Sequence, residues 1–184
     1  MEPSITRHEY TTAQVAKAAG VSLDSLRAWL CNDFLTLEGD AMRIGQVAHK
    51  FSALDALRVA LIGTLARYGI RVSEANDIVS DLADCWSAIA STDRPKPKPQ
   101  FSVAICPSAL ASYLAGQELH VYRPASGPMI VKRVLPGLTP PALPHGITLR
   151  LGSIAGDVAR GLRDAAVKER PPATDKYVFT GVQL

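Results

Sequence analysis

The sequence predicts an α+β protein with a helical N-terminal part and a C-terminal part of mixed strands and helix. In residues 1–90, four segments carry apolar residues at helical spacing. Residues 91–100, "STDRPKPKPQ", alternate prolines with charged residues, which is typical of a stiff extended linker. In residues 101–184, four β-leaning runs precede one amphipathic helix. We therefore expect a domain at each end of the chain, joined by the proline-rich linker.

Length and composition indicate a folded protein without a membrane segment. The 184 residues are 47% hydrophobic and 20% charged, which is enough apolar material to bury a core. No run approaches the ~20 apolar residues of a membrane span, and the start "MEPSITRHEY" lacks the apolar core of a signal peptide. We expect a cytoplasmic protein that makes no membrane contact.

The cysteines favour neither a disulfide framework nor a metal site. Cys31, Cys85 and Cys106 are scattered, and no two of them have the C-x-x-C spacing of a zinc ligand pair. We expect reduced, partly buried thiols, and neither a metal nor a cofactor.

Charge is distributed unevenly along the chain. The formal net charge is +3, but residues 1–100 hold 11 Lys or Arg against 12 Asp or Glu, and residues 101–184 hold 9 against 5. Counterion release from phosphates supplies much of the affinity of DNA-binding proteins. Any DNA-binding surface in the first half must therefore gather its basic residues locally.

The first helix has a well-marked start and end. Thr11 is a good N-cap, and Gln14 stands three residues later to complete a capping box. Tyr10 and Val15 occupy the two positions of a hydrophobic staple. Gly20 ends the helix, because glycine tolerates the left-handed conformation found there.

A second helix begins directly after this turn. Ser22 is its predicted N-cap, and Leu26 and Trp29 are its predicted inward residues. The turn is too short for antiparallel packing, so the pair is typical of a helix-turn-helix, whose second helix enters the DNA major groove. The predicted DNA-facing residues are Ser22, Asp24, Ser25, Arg27 and Ala28. The alternative is an ordinary helical hairpin in an all-α core.

The following segment favours a β-hairpin, which beside a helix-turn-helix is called a wing. One run contains Phe34, Leu35 and Leu37, turn residues follow, and residues 47–51 form a second run. Three basic residues would then lie near the phosphate backbone or a minor groove: Arg43, His49 and Lys50. The alternative is a surface loop with solvated charges.

Two more helices complete the first half. Ser52 is a predicted N-cap with Asp55 in the first turn, and Gly69 ends that helix. Ser73 is the predicted cap of the next helix, whose apolar face extends to Trp86. Both helices are expected to form core and support rather than a site.

In this order, the motifs resemble the DNA-binding domain of MerR-type transcriptional regulators. The resemblance covers residues 9–84 and lies in "YTTAQVAKAAGVSLDSLRAWL", a wing, and "FSALDALRVALIGTLARYGIRVSEANDIV". It implies a winged helix-turn-helix in which Arg27 contacts phosphate or base and Arg43 is the wing arginine. Ala28 stands where the family usually has an aromatic residue. The proline-rich linker replaces the family's long dimer helix, so metal or drug sensing is not implied.

The second half predicts a small α+β domain. The four β-leaning runs are "FSVAIC", "ELHVYR", "MIVKRVL" and "HGITLRL". Ser153 is the predicted cap of the last helix, with Val158 and Leu162 inward and Arg160 outward. His120 and His145 have no nucleophile or carboxylate partner at motif spacing, and no nucleotide-binding or metalloprotease motif is present. We expect a protein that is not an enzyme.

The resulting functional hypothesis is a sequence-specific regulator of transcription. It would bind double-stranded DNA as a homodimer or larger oligomer through residues 101–184, because one helix-turn-helix contacts only a few base pairs. A protein partner or a small-molecule effector of the second domain stays open. The alternatives are another DNA-transaction factor, such as an excisionase or a terminase recognition subunit, and a protein-interaction module that has lost DNA binding.

Overall fold

The computed structural model describes residues 9–35, 50–80, 107–122, 129–135 and 146–168. Along the chain the elements are β1 (Tyr10–Thr11), α1 (Thr12–Ala19), α2 (Leu23–Cys31), β2 (Lys50–Phe51), α3 (Ala53–Arg67), α4 (72–80), α5 (Pro107–Tyr113), β3 (Glu118–Tyr122), β4 (Ile130–Val134), β5 (Gly146–Arg150) and α6 (Leu151–Lys168). The predicted α+β class is confirmed. The predicted linker at 91–100 lies outside the described residues, so the division into two domains stays a prediction.

Helix α1 has the predicted caps. The Gln14 N–H donates to Thr11 Oγ1 at 3.3 Å, and the Thr11 N–H donates to Gln14 Oε1 at 2.7 Å, which completes the capping box. At the other end Gly20 has φ 66° and ψ 31°, the left-handed conformation. The Val21 N–H donates to the Ala16 carbonyl at 3.0 Å and closes the turn.

The strand pair next to α1 differs from the predicted hairpin. Phe34 and Leu35 are not in a strand, and Lys50–Phe51 pairs antiparallel with Tyr10–Thr11. Thr11 and Ser52 are both extended N-cap residues. The strand pairing therefore places the segments that lead into α1 and α3 side by side. This pairing places Tyr10 opposite Phe51, and both rings are buried. Residues 36–49, with the rest of the predicted wing, lie outside the described residues.

Helix α3 is the centre of the core. Its N-cap is the predicted Ser52, which forms a capping box with Asp55 through reciprocal bonds of 2.9 and 3.0 Å. The leucines at helical spacing are buried, but so are Asp55 and Arg58, so burial covers the whole circumference rather than one face. A helix buried on all sides needs neighbours on all sides, and α3 packs against α1, β2 and α6.

Two helices begin earlier than their predicted caps. In α4 the Ala75 N–H donates to the Arg71 carbonyl at 2.8 Å, so the helix begins before Ser73. Helix α6 follows β5 without a loop, and the Leu151 N–H donates to the Gln117 carbonyl at 3.0 Å. Ser153 is therefore an exposed residue inside α6 and not its cap.

The predicted strands of the second half form an antiparallel sheet in the order β4-β3-β5. Leu119 lies opposite Leu149, and Val121 lies opposite Val131 and Ile147. These five side chains share one face of the sheet and belong to or pack against the core cluster. The run "FSVAIC" lies outside the described residues.

Helix α6 packs against α1, α3 and α5, and so connects the two halves of the chain. Val158 and Leu162 are buried as predicted, and Arg160 is exposed. Helices α6 and α1 lie close together at Gly161 and Ala18, where a Cβ on Gly161 would lie 2.7 Å from the Ala18 Cα. The core cluster accordingly includes residues from α1 and α6 together.

Candidate nucleic-acid interface

The start of α2 is held by two serines. The Ser25 N–H donates to Ser22 Oγ at 3.0 Å, and the Ser22 hydroxyl donates to Ser25 Oγ at 2.7 Å. The Leu26 N–H donates to the Ser22 carbonyl at 3.1 Å. Ser22 is exposed and Ser25 is half-buried. The hydroxyls of these predicted site residues therefore fix the helix start, and their oxygens still lie at the surface.

The remaining predicted residues of α2 lie on its exposed face. Asp24, Arg27 and Ala28 are all exposed, as the helix-turn-helix interpretation requires. Arg27 Nη1 lies 3.8 Å from Asp24 Oδ1, with 63% of the arginine and 95% of the aspartate side chain accessible to solvent. An ion pair this long and this exposed contributes little to stability. Arg27 can therefore leave Asp24 for a phosphate or a base at little loss.

The inner face of α2 sets the angle of the helix. Leu26 and Leu30 are buried, and Trp29 is half-buried against the core. Gly63 of α3 lies directly under the turn: a Cβ there would overlap Val21 Cγ1 and lie 3.8 Å from Trp29 Cη2. The helix-turn-helix thus rests on α3 at a point with no room for a side chain.

The basic residues predicted on the wing are only partly described. Lys50 is exposed on β2 and pairs in register with Thr11, the N-cap of α1. Arg43 and His49 lie outside the described residues. Because β2 pairs with β1, Lys50 lies beside the start of α1.

One further basic residue was not among the sequence candidates. Lys17 is exposed in the last turn of α1, next to the turn that leads into α2. In a helix-turn-helix the first helix crosses the DNA backbone, so a cation here is suited to a phosphate. The signal was present in the sequence, because Lys17 is the only charged residue in the first helix.

A second polar cluster lies on the sheet, on the face opposite Leu119 and Val121. His120 is buried, with its Nε2 3.2 Å from Glu118 Oε2 and its Nδ1 3.2 Å from Thr148 Oγ1. Because a carboxylate only accepts, Nε2 is the donor in the bond to Glu118. Glu118 Oε1 also lies 3.9 Å from Arg150 Nε. The register of β3 and β5 supplies Thr148, and Glu118 lies two residues earlier on the same face of β3.

Metal-ligand clusters and membrane-spanning helices are absent from the described ranges. No three His, Cys, Asp or Glu residues of the described ranges come together as a metal site. None of the helices described is both long and apolar enough to cross a bilayer. Cys31 is an exposed free thiol at the end of α2, and Cys85 and Cys106 lie outside the described residues.

No protein family matches the chain, and no curated protein resembles it significantly. The resemblance to MerR-type regulators therefore depends on the quoted motifs.

Proposed function

We propose that this protein is a sequence-specific, MerR-like winged-helix regulator of transcription that binds double-stranded DNA. The observation that carries the proposal is the pair α1 and α2 itself. A left-handed Gly20 joins them, Ser22 caps α2, and Asp24, Arg27 and Ala28 are exposed while Leu26 is buried. This geometry is the one in which the start of a recognition helix enters the major groove.

In this proposal the exposed residues have separate roles. Arg27 is the side chain with the length and the donors to reach a guanine edge or a phosphate from α2. Lys17 and Lys50 contact phosphates on either side, since each is exposed next to one end of α1. Asp24 interacts with the helix dipole in the first turn and holds Arg27 in the absence of DNA.

The test is DNase footprinting of the full chain on the genomic DNA that surrounds its gene. Arg27→Ala should weaken binding at a protected site by about 1–3 kcal/mol, because a base or phosphate contact is lost. Arg150→Ala is the matched control, since it removes an exposed arginine from the sheet. Equal affinity of the folded Arg27 variant and the control would contradict the role of Arg27. Two related half-sites in the footprint would support binding as a homodimer.

A protein-interaction module is the second candidate, and the acidity of α2 favours it. Asp24 and Asp33 are both exposed on or next to this helix, against the single cation Arg27. Acidic residues at a phosphate-binding face oppose DNA affinity. Failure to bind any fragment at low salt would favour this candidate. A protected site outside promoters would instead indicate an excisionase or terminase-like role.

A further inference from the structure

A cavity of about 380 Å³ lies where the turn after α3 meets one end of the sheet. Its volume falls within the usual range of small-molecule sites. It is lined by residues of the turn, of β3 and of β5, and by the residue that precedes β4: Tyr68, Gly69, Ile70, Val121, Tyr122, Met129, Gly146 and Ile147. The cavity therefore has one wall in each half of the chain.

The cavity offers no charged group to a ligand. None of the described residues that line it has a charged side chain. Arg67 and Arg71 flank the turn in the sequence but are not among the lining residues, and Arg67 Nη2 donates to Thr64 Oγ1 at 3.2 Å, back along α3. A charged ligand would lose hydration here without gaining an ionic partner, so the lining favours an uncharged ligand.

The side chains of the lining favour an aromatic ligand. Ile70, Met129 and Ile147 pack against the core cluster but are only half-buried, so each keeps apolar surface uncovered. The thioether of Met129 is suited to contact with an aromatic ring. Tyr68 is 63% exposed and Tyr122 is half-buried, and both can contact a second ring edge to face or by offset stacking. An aromatic compound should therefore bind more tightly than a saturated compound of the same size.

The dimensions of the cavity favour a small molecule over a protein partner. Each side of a stable protein interface contributes about 20–30 residues, many more than the residues that line this cavity. Gly69 and Gly146 add no side chains to the lining. No atom lies within 4 Å of the position that a Cβ on Gly69 would take, so the space next to the turn is open.

We propose that this cavity binds an uncharged aromatic compound of one or two fused rings. The rings contact Met129 and the two tyrosines, and the ligand has one neighbour in each half of the chain. The proposal goes beyond DNA binding and does not depend on it, because the ligand is measured without DNA.

The first test is calorimetric titration of the full chain at neutral pH with three compounds of similar size. We expect 2-naphthol to bind, and we expect 2-naphthoate and the saturated decahydro-2-naphthol each to bind about 10-fold more weakly, since the first adds an unpaired charge and the second lacks the aromatic rings. Amide chemical shifts of Gly69, Ile70, Tyr122 and Gly146 should change on titration with 2-naphthol.

Three results of this titration would overturn the proposal. The first is no binding of 2-naphthol, which is the result expected if a second copy of the chain or another segment covers the cavity. The second is binding of 2-naphthoate as tight as that of 2-naphthol. The third is binding with chemical-shift changes only in other parts of the chain.

The second test exchanges an exposed ring for a cation and uses variants checked for an unchanged melting temperature. Tyr68→Lys should weaken 2-naphthol about 3- to 10-fold and strengthen 2-naphthoate, because it removes an aromatic contact and places a positive charge at the cavity. Tyr113→Lys makes the same exchange at another exposed tyrosine, on α5, and should leave both affinities unchanged. Equal effects of the two variants would overturn the proposal.

Discussion

At the scale of single residues, two glycines allow close contacts between helices because they have no side chain. Gly63 lets the turn of the helix-turn-helix lie on α3, and Gly161 lets α6 lie on α1. The sequence shows these glycines but not their neighbours, since each contact joins residues far apart in the chain. Gly20 is different, because its left-handed conformation was predictable from its position at a helix end.

Gly63→Ala should destabilise the protein by about 1–3 kcal/mol, because the new methyl group overlaps Val21 and a packed core accommodates extra volume poorly. Chemical denaturation gives the change in the free energy of unfolding. Gly156→Ala is the matched control. No atom lies within 4 Å of its added Cβ, so the higher helix propensity of alanine should leave stability equal or raise it by up to about 1 kcal/mol. Similar behaviour of the two variants would contradict the close contact under the turn.

At the scale of elements, caps bonded to residues three positions away were predicted well. Thr11, Ser22 and Ser52 cap the helices that the sequence assigned to them. Ser153 does not, because α6 continues directly from β5 and its first amide is bonded to Gln117. A serine before an apolar helical pattern indicates an N-cap only if the residues that precede it are not helical themselves.

Ser52→Ala should lower the free energy of unfolding by about 1–2 kcal/mol, since it removes a buried cap. Ser153→Ala should change it by less than about 0.5 kcal/mol, because that serine is exposed inside a helix. Thermal unfolding with both variants measures the difference. A larger decrease in stability for Ser153→Ala would mean that Ser153 is the N-cap of α6, as the sequence predicts.

The strand β2 provides a separate test of the DNA-binding proposal. Lys50→Ala should reduce the slope of log affinity against log salt by about one unit, the amount expected for one lost phosphate contact. Lys132→Ala removes an exposed lysine from β4 and should leave the slope as it is. Binding measured by fluorescence anisotropy at several salt concentrations gives both slopes. An unchanged slope for the Lys50 variant would remove it from the phosphate contacts.

At the scale of the whole molecule, α6 connects the two halves. Its apolar face, with Val158 and Leu162, is used against α1, α3 and α5, and Arg160 forms an exposed pair with Asp157 at 3.4 Å. The Arg160-bearing face is therefore polar and poorly suited to a large dimer interface. In the described sheet, β4 and β5 each pair with β3 alone, so both are edge strands.

Gly161→Val should lower the melting temperature of the whole protein in a single transition, because its side chain overlaps the Ala18 backbone and separates α6 from α1. Circular dichroism and tryptophan fluorescence, to which Trp29 contributes, should agree with each other on the midpoint, both in the parent protein and in the variant. Two separate transitions would mean that the halves unfold independently and that the α1–α6 contact adds little.

The sequence by itself determined the features that depend on near neighbours. These are the helices α1 and α2 with their caps, the strands β3, β4 and β5, and the α+β class. Pro107–Tyr113 was missed as a helix, although its proline start and alanines were visible, because a short segment has weak periodicity. The exposed face of α2 was also predictable, since Leu26 fixes which side is buried.

Only the tertiary structure decided which distant segments meet. The partner of β2 is β1 rather than the chain after α2, His120 meets Thr148, α6 covers α1, and a cavity forms between Tyr68 and Ile147. Each of these contacts joins segments whose local patterns are compatible with several partners. The choice among them depends on burying all apolar faces at once, and that is a property of the whole chain.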